Sequence, residues 1–336
     1  MFYRGPAMAA EPQLFEIARR TFDTPGFRGM EFIEVEAKSV LNHVPGNAMP
    51  FSWTINPYRG CSHACVYCFA RPTHTFLDMN AGRDFETKIV VKVNAPEVLR
   101  RELAAPRWKG EHVAMGTATD PYQRAEGRYR LMPRIVEALA AARNPFSILT
   151  KGTLILRDLA LLQDASAVAP VSAAFSIGTL DEEAWRRTEP GTPHPRERIA
   201  AVATLNAAGI PCGVLMAPIL PGITDRPRML REVVAAAIDA GATHVSPIML
   251  HLRPGVREGF TEWLAATYPD LVERYRELYP RSYAPPSARR ELGRRVGSIV
   301  RSLGGTTSPS DPPPARWARS DAHSRVPASP EQLPLM

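Results

Sequence analysis

Cysteine is scarce in this chain, with four among 336 residues. That is too few for a disulfide framework, the device of small secreted domains that cannot build a core. There is no run of about 18 apolar residues, so no transmembrane helix is indicated. Residues 1–10 lack the apolar centre of a secretory signal. These absences together lead to the expectation of a cytoplasmic protein with reduced thiols. No internal repeat of fixed period occurs. Acidic residues are in the minority, 34 against 41 Lys and Arg, which leaves a net charge of +7. An anionic partner is compatible with that balance, although net charge does not say where the charge lies.

What is present suffices for a sizeable core, since 45% of the residues are hydrophobic. The length accommodates a single α/β barrel domain. Strand-like apolar runs fall at 51–55, 112–116, 146–150, 170–177, 212–216 and 244–249. Helix-like segments lie between the later ones, at about 131–142, 156–163, 195–208 and 226–240. In the last of these Met229, Leu230, Val233, Val234 and Ala237 share one face at helical spacing. Strand–helix alternation predicts a parallel sheet with right-handed crossovers, and six such units suggest an incomplete barrel. A further strand-like run at 88–93 precedes a helix from 96 to about 104, capped by Asn94 with Pro at its start.

The flanking segments are read as follows. Residues 1–50 form a lead-in, with a short helix at 11–20, a loop at 21–30 and a strand outside the core at 31–40. The barrel occupies 51–280. Helices are expected at 261–279 and 288–303, the second carrying Leu292, Val296, Ile299, Val300 and Leu303 on one face and Arg290, Arg294 and Arg301 elsewhere. From 304 to 336 seven prolines fall in 33 residues with few large apolar groups, the composition of a disordered tail.

The chemistry concentrates in Asn56-Pro-Tyr-Arg-Gly-Cys-Ser-His-Ala-Cys-Val-Tyr-Cys-Phe-Ala-Arg71. Cys61, Cys65 and Cys68 follow a C-x3-C-x2-C spacing in a loop opened by Asn56-Pro57 and Gly60, so three thiolates can converge on one soft metal centre. Thiolates are the usual ligands of iron–sulfur clusters, and three of them leave one iron of a cubane open to a small molecule. A zinc site formed with His63 or His74 is the competing reading. Cys212, in an apolar run, reads as a small buried side chain.

In parallel α/β folds ligands sit at the C-terminal ends of the strands. Just past the second strand lie Thr119 and Asp120; past the third, Lys151; past the fourth, Ser176, with Glu189 further on; past the fifth, Ala217-Pro-Ile-Leu-Pro-Gly222. A hydroxyl, a carboxylate and an ammonium there could bind a ligand, and each could equally be an ordinary turn or strand-end residue.

The cysteine stretch, with Tyr67 as the aromatic before the third cysteine, resembles the cluster loop of radical S-adenosylmethionine (SAM) enzymes. Its flanks, Asn-Pro-Tyr-Arg-Gly-Cys and Cys-Phe-Ala-Arg, resemble more narrowly the DNA repair photolyase-like branch related to spore photoproduct lyase. The resemblance covers about residues 50–280 and implies an α/β fold, a partial (β/α)6 TIM-type barrel. It also implies a [4Fe–4S] cluster on Cys61, Cys65 and Cys68 and SAM held by Tyr67, Thr119, Lys151, Ser176 and Ala217. The implied reaction is reductive cleavage of SAM to a 5′-deoxyadenosyl radical that takes hydrogen from a substrate. The implied partners are an electron donor of flavodoxin or ferredoxin type and, as a candidate substrate, nucleic acid. No membrane is expected and the state expected is a monomer. Radical modification of a protein or small molecule, and a nonenzymatic zinc-binding nucleic-acid module, are the alternatives. Two positions depart from spore photoproduct lyase: Thr117 stands where that enzyme has a hydrogen-donating cysteine, and Phe69 where it has a tyrosine.

Overall fold

A computed structural model describes residues 14–46 and 49–308. Eleven strands occur among them: β1 (Leu14–Arg20), β2 (Glu31–Ala37), β3 (Leu41–His43), β4 (Trp53–Ile55), β5 (Tyr58–Arg59), β6 (Lys88–Lys92), β7 (Val113–Met115), β8 (Phe146–Thr150), β9 (Val171–Ser176), β10 (Cys212–Ile219) and β11 (Val245–Met249). They form two sheets. The larger has the order β11-β10-β9-β8-β7-β4-β3, and the smaller β1-β2-β6-β5.

The six strands β4, β7, β8, β9, β10 and β11 run parallel, each beside the next. This is the six-unit open barrel that the alternation predicts. One face of this sheet is apolar and buried, with Ile55, Val113, Phe146, Ile148, Phe175, Val214 and Val245 on it, while the register puts Thr54, Ser147, Ser172, Ser176 and Ser246 on the other. Helices Leu131–Ala141, Leu159–Ser166, Pro195–Ala207 and Pro227–Asp239 form the outer layer. An open barrel has two unpaired edges, each a template for unwanted pairing. Here β3 covers one of them by pairing antiparallel with β4. At the other, the Val245 N–H donates to Thr306 O at 2.9 Å and Ser246 Oγ to Thr307 O at 2.6 Å. Residues 304–308 therefore dock on the barrel, unlike the free tail expected from 304 onward; 309–336 lie outside the described residues.

Four other expectations are corrected. The segment read as a helix at 11–20 is a strand over its described part, β1, paired antiparallel with β2 from Leu14↔Ala37 to Arg20↔Phe32. Cross-strand pairs Arg19–Glu31 and Arg20–Glu34 favour this arrangement, whereas an isolated helix so short is marginal in water. β2 is not outside the core: Phe32 and Ala37 belong to the main apolar cluster. The single helix expected at 261–279 is broken at Pro269 into Arg257–Thr267 and Val272–Leu278, joined by the 3-10 turn Pro269–Leu271. Proline cannot donate to the preceding turn. Asn94 precedes helix Ala95–Ala104 as expected, but its amide exchanges hydrogen bonds with the Ala37 backbone instead of capping, tying the helix start to β2.

Candidate active site

The cysteine loop leaves β5 and is fastened at several points. The Cys61 N–H donates to Phe85 O at 2.9 Å. Arg71, itself buried, donates to Cys65 O from Nε and Nη2 at 3.1 and 2.9 Å, reaches Gly82 O and pairs with Glu86. All three thiols are free; Cys61 and Cys65 are buried and Cys68 half-buried. Burial raises the pKa of all three, that of Cys65 to about 12, and the negative charge of Asp120 raises Cys61 further. A site that penalises free thiolates so strongly suits a cationic metal centre, which would deprotonate the coordinating thiols. Three clustered soft donors on a clamped loop therefore fit an iron–sulfur cluster.

The two histidines of the zinc reading have other neighbours. His74 is buried, with Nε2 2.9 Å from Lys88 O and its ring against Phe85. His63 Nδ1 lies 3.3 Å from Asp120 Oδ2. Among the described residues, no three His, Cys, Asp or Glu side chains, the three cysteines included, gather around a single point.

The loop after β7 locks onto the cysteine loop. Gly116, at φ +89°, starts it, and a Cβ there would lie 1.9 Å from Leu149 O, so only glycine allows β7 and β8 to approach so closely. Thr119 Oγ1 donates to Gly60 O at 2.7 Å. Gln123 donates to Gly60 O and to Thr119 Oγ1, both at 2.9 Å, and accepts from the Ser62 N–H at 2.9 Å. Thr117 is bonded to Asn56, and Phe69 is half exposed. Asp120 accepts from Thr150 Oγ1 at 2.6 Å, the Lys151 N–H at 2.7 Å and the Tyr122 N–H at 2.9 Å. Burial alone would raise its pKa, but His63 and these donors hold it down at about 2.

The ends of β8, β9 and β10 are joined by one polar chain. Lys151 Nζ donates to Ser176 Oγ at 2.6 Å, and Ser176 Oγ donates to Ala217 O at 2.6 Å. Lys151 Nζ also lies 3.9 Å from Glu189 Oε1 and 5.8 Å from the Tyr67 ring centre. Glu189 accepts from the Tyr67 hydroxyl and pairs at 2.6 Å with Arg198, a fully buried guanidinium that donates to Ser176 O at 3.0 Å. Two cations thus share one carboxylate: burial opposes the Glu189 charge, and Arg198 and Lys151 overcome it. The segment carrying Glu189 is pressed against the cysteine loop. Gly191 N–H donates to His63 O, and a Cβ on Gly191 would lie 2.1 Å from Ser62 O.

Of the five residues expected around SAM, Tyr67 lies in the cysteine loop, Thr119 bonds to Gly60 and Lys151 approaches the Tyr67 ring. Lys151, Ser176, Ala217 and Tyr67 form a connected group; Thr119 is spent largely on holding Gly60. The sequence reading did not find Arg198, Gln123 or the His63–Asp120 pair. Arg198 carried a signal, since it shares the apolar face of its helix with Ala201, Val202 and Leu205, where a charged residue is out of place unless paired.

The far side of the loop is closed by a second apolar cluster. Cys65 and Tyr67 pack there with Leu220, Leu250, Phe260, Leu264, Tyr275 and Tyr279.

Residues 55–234 match the profile of the Radical SAM superfamily. The chain belongs to the radical SAM superfamily. The chain is therefore a radical SAM enzyme, and the partial barrel is the fold expected of one. It is 52% identical over 297 residues to an uncharacterized protein of Mycobacterium tuberculosis (strain ATCC 25618 / H37Rv), covering 87% of each chain. An uncharacterized protein of Methanocaldococcus jannaschii is 30% identical over 198 residues, 58% of this chain and 70% of that one. Among solved structures, spore photoproduct lyase complexed with dinucleoside spore photoproduct superposes with a TM-score of 0.62 at 16% identity, covering 82% of this chain and 81% of the lyase. A doubly substituted mutant of that lyase with bound AdoMet (SAM) and dinucleoside spore photoproduct gives 0.60 at 17%, covering 78% of each. At such identities the likeness concerns the fold. No helix among the described residues is long and apolar enough to cross a membrane.

Proposed function

We propose that Cys61, Cys65 and Cys68 hold a [4Fe–4S] cluster and that SAM lies at the strand ends against Tyr67, Thr119, Lys151, Ser176 and Ala217. The observation that carries this reading is the Lys151–Ser176–Ala217 chain, which links three strand ends beside the cysteine loop. When bound, the cluster supplies an electron to SAM, whose cleavage gives the 5′-deoxyadenosyl radical that takes hydrogen from the substrate.

The chain's own residues bind and orient. Lys151, held by Ser176 and near Glu189, is the cation for the carboxylate of SAM. Glu189 stays charged through Arg198 and fixes the Tyr67 ring. Thr119 donates to Gly60 and accepts from Gln123, so one lone pair is left for an ammonium donor. The apolar cluster behind Cys65 and Tyr67 keeps water from the radical.

The electron comes from a cytoplasmic donor of flavodoxin or ferredoxin type, and the protein acts as a monomer. The substrate is a nucleic acid, processed by a route other than the lyase's hydrogen relay. Thr117 offers a hydroxyl, a far poorer hydrogen-atom donor than a thiol, and Phe69 has no hydroxyl at all. The test is metal analysis after anaerobic reconstitution. Near-fourfold iron and sulfide per chain supports the reading; one zinc without sulfide overturns it in favour of the binding module.

A further inference from the structure

A second polar cluster stands just past β11, at the same end of the barrel as the cysteine loop. His251 and Tyr283 pair across an isolated antiparallel bridge, with ring centres 4.6 Å apart. Two exposed guanidinium groups flank the Tyr283 ring: Arg253 at 5.9 Å, with Nη2 donating to the hydroxyl at 2.9 Å, and Arg289 at 5.8 Å. Arg257 follows Arg253 by one helical turn, and its buried Nε–H has no acceptor. No ion pair engages Arg253, Arg257 or Arg289 among the described residues. The carboxylate on this turn, Glu258, accepts instead from the Gly255 N–H. Gly255 in turn abuts Pro72, four residues beyond Cys68; a Cβ on Gly255 would lie 2.9 Å from the proline ring.

Arg253 and Arg289, beside a half-exposed aromatic ring and without an ion pair among the described residues, form a positive site. Its geometry is organised, since Tyr283 fixes Arg253, and Ala284 O accepts from Arg289 Nε at 3.1 Å. Guanidinium forks match the oxygens of a phosphate group. We propose that Arg253 and Arg289, ordered by Tyr283, bind a phosphate ester of the substrate at the rim of the barrel. Burial and the two arginines push His251 down to about 4, so it serves as a neutral support for the ring.

The inference deepens the reading above and rests on it only in calling the ligand the substrate. Binding is measured without SAM or reductant, so its failure and that of radical chemistry are distinguishable.

The experiment compares reconstituted wild type with R253Q/R289Q by fluorescence anisotropy, using a short fluorescein-labelled oligothymidylate. A parallel calorimetric titration uses thymidine 5′-monophosphate. The double variant should bind the strand at least about tenfold more weakly, as loss of two charge-assisted contacts requires. Its log–log salt slope should shrink by about 1.4, at about 0.7 per single-strand phosphate contact. A methylphosphonate strand, lacking the charges, should be insensitive to the substitutions. Loss in the strand arm assigns the phosphate to a phosphodiester; loss only in the mononucleotide arm assigns it to a terminal phosphate. Thermal melting checks the fold, and R289Q alone gives the same readouts if the double variant melts early. Unchanged binding in both arms overturns the proposal, as does equal sensitivity of the methylphosphonate strand.

Discussion

Replacing Lys151 by Met removes one ammonium and keeps most of the side-chain volume. In the protein without ligand, the loss is one hydrogen bond to Ser176 and a 3.9 Å approach to Glu189. Glu189 keeps Arg198 at 2.6 Å, and Ser176 keeps Ala217 O. No buried charge is orphaned, so folding stability should fall by only about 1 kcal/mol. SAM affinity should fall by more. A charged hydrogen bond to the carboxylate is worth about 1–3 kcal/mol, or about 5- to 150-fold in Kd. Anaerobic calorimetry on reconstituted protein measures this directly, and decarboxylated SAM completes a thermodynamic cycle. Wild type should bind decarboxylated SAM about as weakly as K151M binds SAM, and K151M should bind the two compounds alike. Wild-type affinity of K151M for SAM would refute the assignment. So would undiminished preference of K151M for the carboxylated compound.

Three further outcomes follow from the same contacts. Replacing Cys61, Cys65 or Cys68 by Ala should prevent assembly of a complete cluster, whereas C212A, a truncation of a buried thiol, should keep full iron and sulfide content and lose about 1 kcal/mol of stability; iron and sulfide assays with thermal melts check both. Because Asp120 titrates at about 2 when folded against an ordinary 3.8, it stabilises the fold above about pH 4 and this contribution is lost as pH falls towards 2; it amounts to about 2 kcal/mol, and urea titrations of D120N across this range should show a flatter acid limb than wild type. Removing 309–336 should leave cluster content and melting temperature unchanged, whereas removing 304–336 also deletes the bonds from Val245 and Ser246 and should cost about 1–3 kcal/mol without loss of the cluster, readable by the same assays.

The barrel was legible because each parallel strand is an apolar run short enough to be distinguished from a helix and followed by a helical period. The cysteine loop was legible because its chemistry lies in contiguous residues. β1 was not: its Phe15 and Ile17 are exposed, so burial imposes no pattern, and its pairing partner β2 lies beyond a turn. The site's candidates on β8, β9 and β10 could be placed by counting strand ends. Their neighbours could not, because Arg198 reaches Glu189 and Ser176 through tertiary packing, and Gln123 meets Gly60 across 63 residues of chain. The docking of 304–308 escaped for a related reason: Thr306 and Thr307 engage β11 through backbone carbonyls, which leave no mark in side-chain composition.

The central claim is radical chemistry from a SAM-bound cluster held by three cysteines. Its most direct test is the amount of 5′-deoxyadenosine formed when anaerobically reconstituted protein is reduced in the presence of SAM. The account predicts 5′-deoxyadenosine and methionine in equal amounts from wild type, and none above the protein-free control from C65A. Wild type carrying a full complement of iron and sulfide but forming no 5′-deoxyadenosine would contradict it.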